Sequence, residues 1–85
     1  MTDIIEEIRK YLESRTGRQE LRTMQLDESL LETGIIDSMV MVGLTAFIEE
    51  KYGFRVDEDD MVPENFETLE AIANYIARNT AGKTS

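Results

Sequence analysis

The stretch GIIDSMVMV, residues 34–42, joins a glycine-led loop to a long apolar segment and decides how the chain is organised. Aspartate is preferred just before a helix, because its carboxylate accepts a hydrogen bond from a free backbone N–H group. Asp37 therefore predicts a helix from Ser38 to about Lys51, with Gly53 as its C-terminal signal. The serine falls at the helix start, where it is either a plain helix cap or a point of attachment.

This second helix is predicted to have two apolar faces. The core stripe contains Met41, Leu44, Thr45, Ile48 and Tyr52. The opposite face contains Met39, Gly43 and Ala46 beside Glu50, with Val40 and Phe47 on its flank. The first half of this outer face lacks the charges of an ordinary solvent face, so we expect it to dock partners. The expected partner-contacting residues are Met39, Val40, Gly43 and Phe47, and the alternative for Val40 and Phe47 is that they turn into the core.

Two further helices flank this one. Apolar residues at helical spacing between Ile4 and Leu12 predict a first helix from about Asp3 to Ser14, which Gly17 ends. Asp3 and Glu6 have the spacing of a capping box. Thr68 is expected to cap a final helix, because the apolar residues that follow it recur at i, i+3, i+4 and i+7.

The connecting segments are predicted as follows. The long loop from Gly17 to Asp37 is rich in leucine and isoleucine, so we expect it to be pinned across the core. Residues 57–62 can form a short helical turn that Pro63 terminates, and the tail from Asn79 to Ser85 is expected to fray. The prediction is an all-α, single-domain bundle over residues 1–85, ordered over about 3–78. It has three main helices, one short helix and a long loop between the first two.

Composition excludes several classes of function. A chain of 85 residues without cysteine or histidine has no thiol nucleophile, no imidazole base and no zinc-finger ligand set. The net charge of -9 argues against nucleic-acid binding, because such proteins need clustered cations. No apolar run approaches the roughly 20 residues that span a bilayer, and the N-terminus does not have the pattern of a signal peptide. We expect a cytoplasmic protein that is not an enzyme and binds neither nucleic acid nor membrane.

The acidic run at residues 57–60 does not make a calcium loop. Met61, Val62 and Thr68 stand where an EF-hand needs an oxygen ligand, a glycine and a glutamate, so no metal site is predicted. Ser38 has no histidine or cysteine to activate it, which makes it a better substrate for another enzyme than a nucleophile in its own right. A phosphodiester on Ser38 would be favoured there, because a helix N-terminus attracts anions.

These residues bring the chain close to a known family. LETGIIDSM at 31–39, the apolar helix, FIEEKYGF at 47–54, VDED at 56–59 and TLEAIA at 68–73 resemble the acyl carrier and peptidyl carrier proteins. The resemblance covers nearly the whole chain from Ile4 to Arg78. It implies an acyl-carrier-like bundle in which the serine of an Asp-Ser-Leu motif carries 4′-phosphopantetheine from coenzyme A.

Residue by residue, Ser38 matches the attachment serine, Asp37 the acid before it and Gly34 the glycine that ends the loop. Met39 replaces the usual leucine, a swap of similar volume. Val40 and Gly43 stand where carriers of primary fatty-acid synthesis usually have acids, so the resemblance is closer to carriers of polyketide and nonribosomal peptide pathways.

The function implied is a discrete, monomeric carrier that tethers an intermediate or extender unit as a thioester on phosphopantetheine at Ser38. Acyl, aminoacyl, methoxymalonyl-type and D-alanyl cargo all fit it. Implied partners are a phosphopantetheinyl transferase, a loading ligase or acyltransferase, and downstream synthase or tailoring enzymes. The alternative is a small acidic helical adaptor between proteins, with Ser38 as a plain helix cap.

Overall fold

The computed structural model describes residues 2–80, and this part of the chain is a bundle of four helices without a β-strand. The helices are α1 (Thr2–Thr16), α2 (Ser38–Tyr52), α3 (Pro63–Phe66) and α4 (Leu69–Thr80). Two 3₁₀ turns, Gln19–Arg22 and Glu58–Asp60, lie in the connections. The predicted architecture of three main helices, one short helix and a long first loop is therefore confirmed.

Helix α1 differs from its prediction at both ends. It already includes Thr2, so Asp3 lies inside the first turn and not at the cap of a capping box. It continues past Ser14 to Thr16, whose hydroxyl donates to the Leu12 carbonyl at 2.6 Å. Gly17 then ends the helix as predicted, at a φ of 73° that glycine adopts more readily than other residues.

A single apolar core joins all four helices. Helix α4 packs against α1, α2 and α3, and α1 also packs against α2. The fully buried large side chains are Ile8, Leu12, Leu21, Leu30, Ile35, Leu44, Ile48, Phe66, Leu69, Ile72, Tyr75 and Ile76. Three of them, Leu21, Leu30 and Ile35, come from the long loop, so the loop forms part of the core.

Backbone hydrogen bonds fix the loop to the far side of the bundle, as predicted. The Leu30 amide donates to the Glu67 carbonyl at 2.6 Å, and the Glu70 amide donates to the Leu26 carbonyl at 3.1 Å. These two bonds tie the loop to the α3–α4 junction. Not every apolar residue of the loop is inside, because Leu26 keeps 38% of its surface exposed.

The predicted helical turn is present, but Pro63 has a different role from the one predicted. Residues 58–60 form a 3₁₀ turn within the predicted run, and Pro63 begins the additional short helix α3 instead of terminating a helix. Proline suits the first helical position, because its fixed φ matches the helix and its missing N–H group would have no partner there. The prediction treated Pro63 as a stop signal, whereas here it is a start signal.

Helix α4 begins as predicted, since the Thr68 hydroxyl accepts a hydrogen bond from the Ala71 amide at 2.9 Å. It extends beyond Arg78, so Asn79 and Thr80 are helical and do not belong to a frayed tail. The remainder of that predicted tail, residues 81–85, lies outside the described residues.

Candidate functional site

At the start of α2, the group that caps the helix and the serine hydroxyl belong to different residues. The carboxylate of Asp37 accepts a hydrogen bond from the Val40 amide at 2.9 Å and is the N-cap of the helix. Ser38 is the first residue of α2 and is exposed. The cap is therefore supplied by Asp37, and the Ser38 side chain faces solvent beside the positive end of a helix of 15 residues.

A largely apolar surface groove of about 560 Å³ opens beside Ser38. Its walls come from the long loop, from the first turns of α2 and from the segment before α3. The lining residues are Leu31, Ile36, Asp37, Ser38, Met41, Val42 and Met61. The sequence pattern had not indicated Met61, because it lies more than twenty residues from Ser38 along the chain and only the fold brings the two together.

A polar network holds the segment that brings Met61 to the groove. The Tyr75 hydroxyl donates to the Asp60 carboxylate at 3.0 Å, and the Asn65 side-chain amide donates to the Asp60 carbonyl at 2.8 Å. The Tyr75 ring is buried and packs edge-on against Phe54, with 5.9 Å between ring centroids. Helix α4 thus positions one wall of the groove through Asp60.

Burial, together with the Asp60 contact, raises the pKa of Tyr75 to about 12. Below about pH 10 the phenol is protonated in both the folded and the unfolded chain, and its contribution to stability is fully present. Between about pH 10 and 12 the unfolded chain loses this proton while the folded chain keeps it, so the free energy of unfolding should fall as pH rises. Urea unfolding at about pH 8 and pH 11 should show this fall in the wild type.

The matched variant for that measurement is Tyr75→Phe, which keeps the ring and removes the titrating group. Its loss of stability between the two pH values should be smaller than that of the wild type. Burial also raises the pKa of Tyr52. The Tyr52→Phe variant therefore measures how much of the pH dependence of stability comes from Tyr52. Equal slopes for wild type and Tyr75→Phe would contradict the assignment.

The outer face of α2 is more apolar than the sequence pattern indicated. Met39 and Val42 keep 74% and 63% of their surfaces exposed, and both lie within about one turn of Ser38. Val42 was missing from the expected docking residues, although its spacing of three from Met39 places the two on one face. Ala46 and Glu50 continue this face toward the C-terminal end of the helix.

Three of the expected partner-contacting residues lie nearer to the core than Met39. Val40 and Phe47 are half-buried and pack against the core cluster. Gly43 is half-buried and faces α1, where an added Cβ atom would lie only 2.6 Å from the Tyr11 hydroxyl oxygen. The expectation that Gly43 faces outward is wrong, because its missing side chain is what lets Tyr11 approach α2.

Tyr11 and Phe47 form the centre of this close contact between α1 and α2. Their rings stack with centroids 4.5 Å apart and an interplanar angle of 19°. Farther along the same seam, the Lys51 ammonium lies 3.2 Å from the Glu7 carboxylate. The side of α2 toward α1 is therefore packed, and the face with Met39 and Val42 is the one left open to a partner.

Comparison with known proteins agrees with this geometry. The model of the phosphopantetheine attachment site family matches residues 6–76, most of the chain. The chain belongs to the phosphopantetheine attachment site family. It is therefore a carrier protein, whose family holds 4′-phosphopantetheine covalently and is generally non-catalytic. Carriers of this kind interact with a phosphopantetheinyl transferase and with synthase enzymes. A search of curated proteins finds no match to the chain.

The residues at the start of α2 fit the phosphopantetheine of this carrier. An attachment residue must present a hydroxyl that a transferase can reach, and the new phosphodiester needs a site that tolerates negative charge. The exposed Ser38 side chain at the N-terminus of α2 meets both needs. Over residues 2–80 the carrier has no helix long and apolar enough to span a bilayer.

Asp37→Ala should destabilise the carrier by about 0.5–2 kcal/mol, because it removes the side-chain cap of the Val40 amide. Thermal or urea unfolding followed by circular dichroism measures this loss. Asp37→Asn is the matched control, since an asparagine oxygen caps about as well. A cost of the same size for Asn and Ala would show that the charge, and not the hydrogen bond, is what the helix start needs.

Proposed function

We propose that Ser38 is the residue that carries phosphopantetheine. The observation that supports this most is that Asp37, and not Ser38, caps the start of α2. Asp37 provides the cap, so the neighbouring hydroxyl is left exposed at a helix N-terminus and next to an apolar groove. A serine needed only as a cap would occupy the position that Asp37 occupies.

In this proposal the protein's own residues present the attachment point and receive the partner. The N-terminal N–H groups of α2 favour the phosphodiester, while Met39 and Val42 offer an apolar contact beside it. Val40, Gly43 and Phe47 lie at the edge of that contact. Gly43 and Phe47 set how closely α1 approaches it, because both contact Tyr11. When bound, phosphopantetheine supplies a flexible arm whose thiol holds the cargo as a thioester.

The carrier works by proximity. A cargo bound to a carrier that is docked on an enzyme reaches that active site at a high effective concentration. Docking must be reversible, because one carrier visits a loading ligase or acyltransferase and then downstream synthase or tailoring enzymes. A small contact built on Met39 and Val42 suits such transient binding, since interfaces at the low end of the size range are typical of transient encounters.

We propose a polyketide or nonribosomal peptide pathway for this carrier. The first turn of α2 contains no acid, and the exposed side chains nearest to Ser38 on its outer face are apolar. A partner that binds through lysine and arginine would find no carboxylate to pair with on this face before Glu50. The alternative, an adaptor with Ser38 as its helix cap, loses support because the cap is Asp37.

The test is intact mass spectrometry after incubation with coenzyme A and a broad-specificity phosphopantetheinyl transferase. We expect a gain of one phosphopantetheine, and peptide mapping should locate it on Ser38. The modified protein is then offered to a malonyl transferase of fatty-acid synthesis and to loading enzymes of polyketide and peptide pathways. Efficient loading only by the fatty-acid enzyme would overturn the pathway proposal, and no modification at all would overturn the attachment proposal.

A further inference from the structure

Arg15 reaches from α1 to the edge of the docking face of α2, which is the outer face that exposes Met39 and Val42. It lies in the last turn of α1, and its side chain is exposed. Two guanidinium nitrogens lie 3.5 Å from the point where a Cβ atom would stand on Gly43. Because residue 43 has no side chain, the guanidinium of Arg15 lies directly against α2.

Arg15 gives this edge a local positive charge in a strongly acidic protein. The salt bridges formed within residues 2–80 involve Arg9, Arg18, Arg22 and Lys51, and Arg15 is in none of them. The first turn of α2 contains no acid. The carboxylate of Asp37 is already engaged with the backbone of that turn.

Arg15 lies beside the residue that follows Met39 by one helical turn. Gly43 comes four residues after Met39, and residues at this spacing are neighbours on one side of a helix. An enzyme that covers Met39 to reach Ser38 therefore also approaches Arg15. A charge on that enzyme within the Debye length of about 8 Å at physiological ionic strength would be only partly screened from the guanidinium.

We propose that Arg15 is a specificity-determining residue, which selects partner enzymes that place a carboxylate opposite it and disfavours partners whose docking surface is basic. The proposal rests on Ser38 as the attachment residue. Its physical basis is that charge complementarity controls specificity and association rate more than it controls total affinity. Arg15 therefore opposes the attraction that the net charge of -9 would otherwise give to basic partners.

The experiment compares two broad-specificity phosphopantetheinyl transferases, one with a basic carrier-binding surface and one whose surface carries carboxylates. For each, kcat/KM for modification of the full chain is measured with wild type, Arg15→Glu and Arg15→Gln. Reversing or removing one charge about 6 Å from another in water changes kcat/KM for one enzyme by about tenfold or about threefold. The two enzymes should change in opposite directions. Arg15→Glu should therefore raise the ratio of kcat/KM for the basic enzyme to kcat/KM for the acidic enzyme by about 100-fold, and Arg15→Gln by about tenfold.

Arg55→Glu is the matched control, because it makes the same change in net charge at an exposed residue beyond the far end of α2. If Arg55→Glu changes the ratio as much as Arg15→Glu does, net charge explains the effect and the proposal is overturned. An unchanged ratio for Arg15→Glu and Arg15→Gln, with Ser38 still modified, also overturns it. Failure of the wild type to be modified by either enzyme would instead refute Ser38 as the attachment residue.

Discussion

Ser38→Ala should abolish phosphopantetheine transfer completely while leaving the fold intact. The variant removes only the side-chain hydroxyl group. In our proposal this hydroxyl is the nucleophile that takes the phosphopantetheine from coenzyme A. The helix keeps its cap, because that hydrogen bond comes from Asp37. Since Ser38 is exposed, the free energy of unfolding should change by no more than about 0.5 kcal/mol. Intact mass measures the first effect and urea unfolding the second.

Ser14→Ala is the control for this measurement, because Ser14 is another exposed serine in a helix. It should be modified at the wild-type rate. Continued modification of Ser38→Ala would show that a different hydroxyl carries the group, and peptide mapping would then identify it. A Ser38→Ala protein that no longer folds would be equally informative, since it would give Ser38 the structural role that we assign to Asp37.

The start and end of α2 could be predicted from the sequence because their signals are local. A cap at Asp37 and a left-handed glycine at Gly53 each act through hydrogen bonds within a few residues, and both lie where predicted. Thr68 at the start of α4 is a third example. Pro63 was misassigned because proline both ends one segment and begins the next, and the sequence alone does not say which role applies.

The composition of the docking face could be predicted only in part. The absence of charge near Ser38 is visible in the sequence, but the rotation of α2 about its axis depends on what packs against it. Tyr11 packs against α2 where Gly43 leaves room, and this turns Gly43 toward α1 and leaves Val42 exposed. Met61 reaches the groove beside Ser38, and Arg15 reaches Gly43, only through contacts between distant segments. The spacing of apolar residues along a single helix does not reveal contacts with distant segments.

The groove beside Ser38 depends on a segment that has little stability of its own. Helix α3 has four residues, fewer than an isolated helix needs, and its position depends on burial of its last residue, Phe66. Phe66 is fully buried and packs against the Tyr75 ring, with 5.6 Å between ring centroids. Asp60 and Met61 lie just before this helix, so one wall of the groove is held in place through Phe66 and Tyr75.

Phe66→Ala should therefore cost about 3–5 kcal/mol in the free energy of unfolding, the range for removing a buried phenylalanine side chain. Small domains have only about 5–15 kcal/mol of stability in total, so the variant should be partly unfolded near physiological temperature. Urea unfolding followed by circular dichroism measures the loss, and Glu64→Ala, an exposed change in the same short helix, should stay within about 0.5 kcal/mol. Modification of Ser38 should fall with the folded fraction, because the transferase needs the ordered start of α2. If Phe66→Ala kept wild-type stability, α3 would not be anchored through the core, and the groove wall that carries Met61 would need another support.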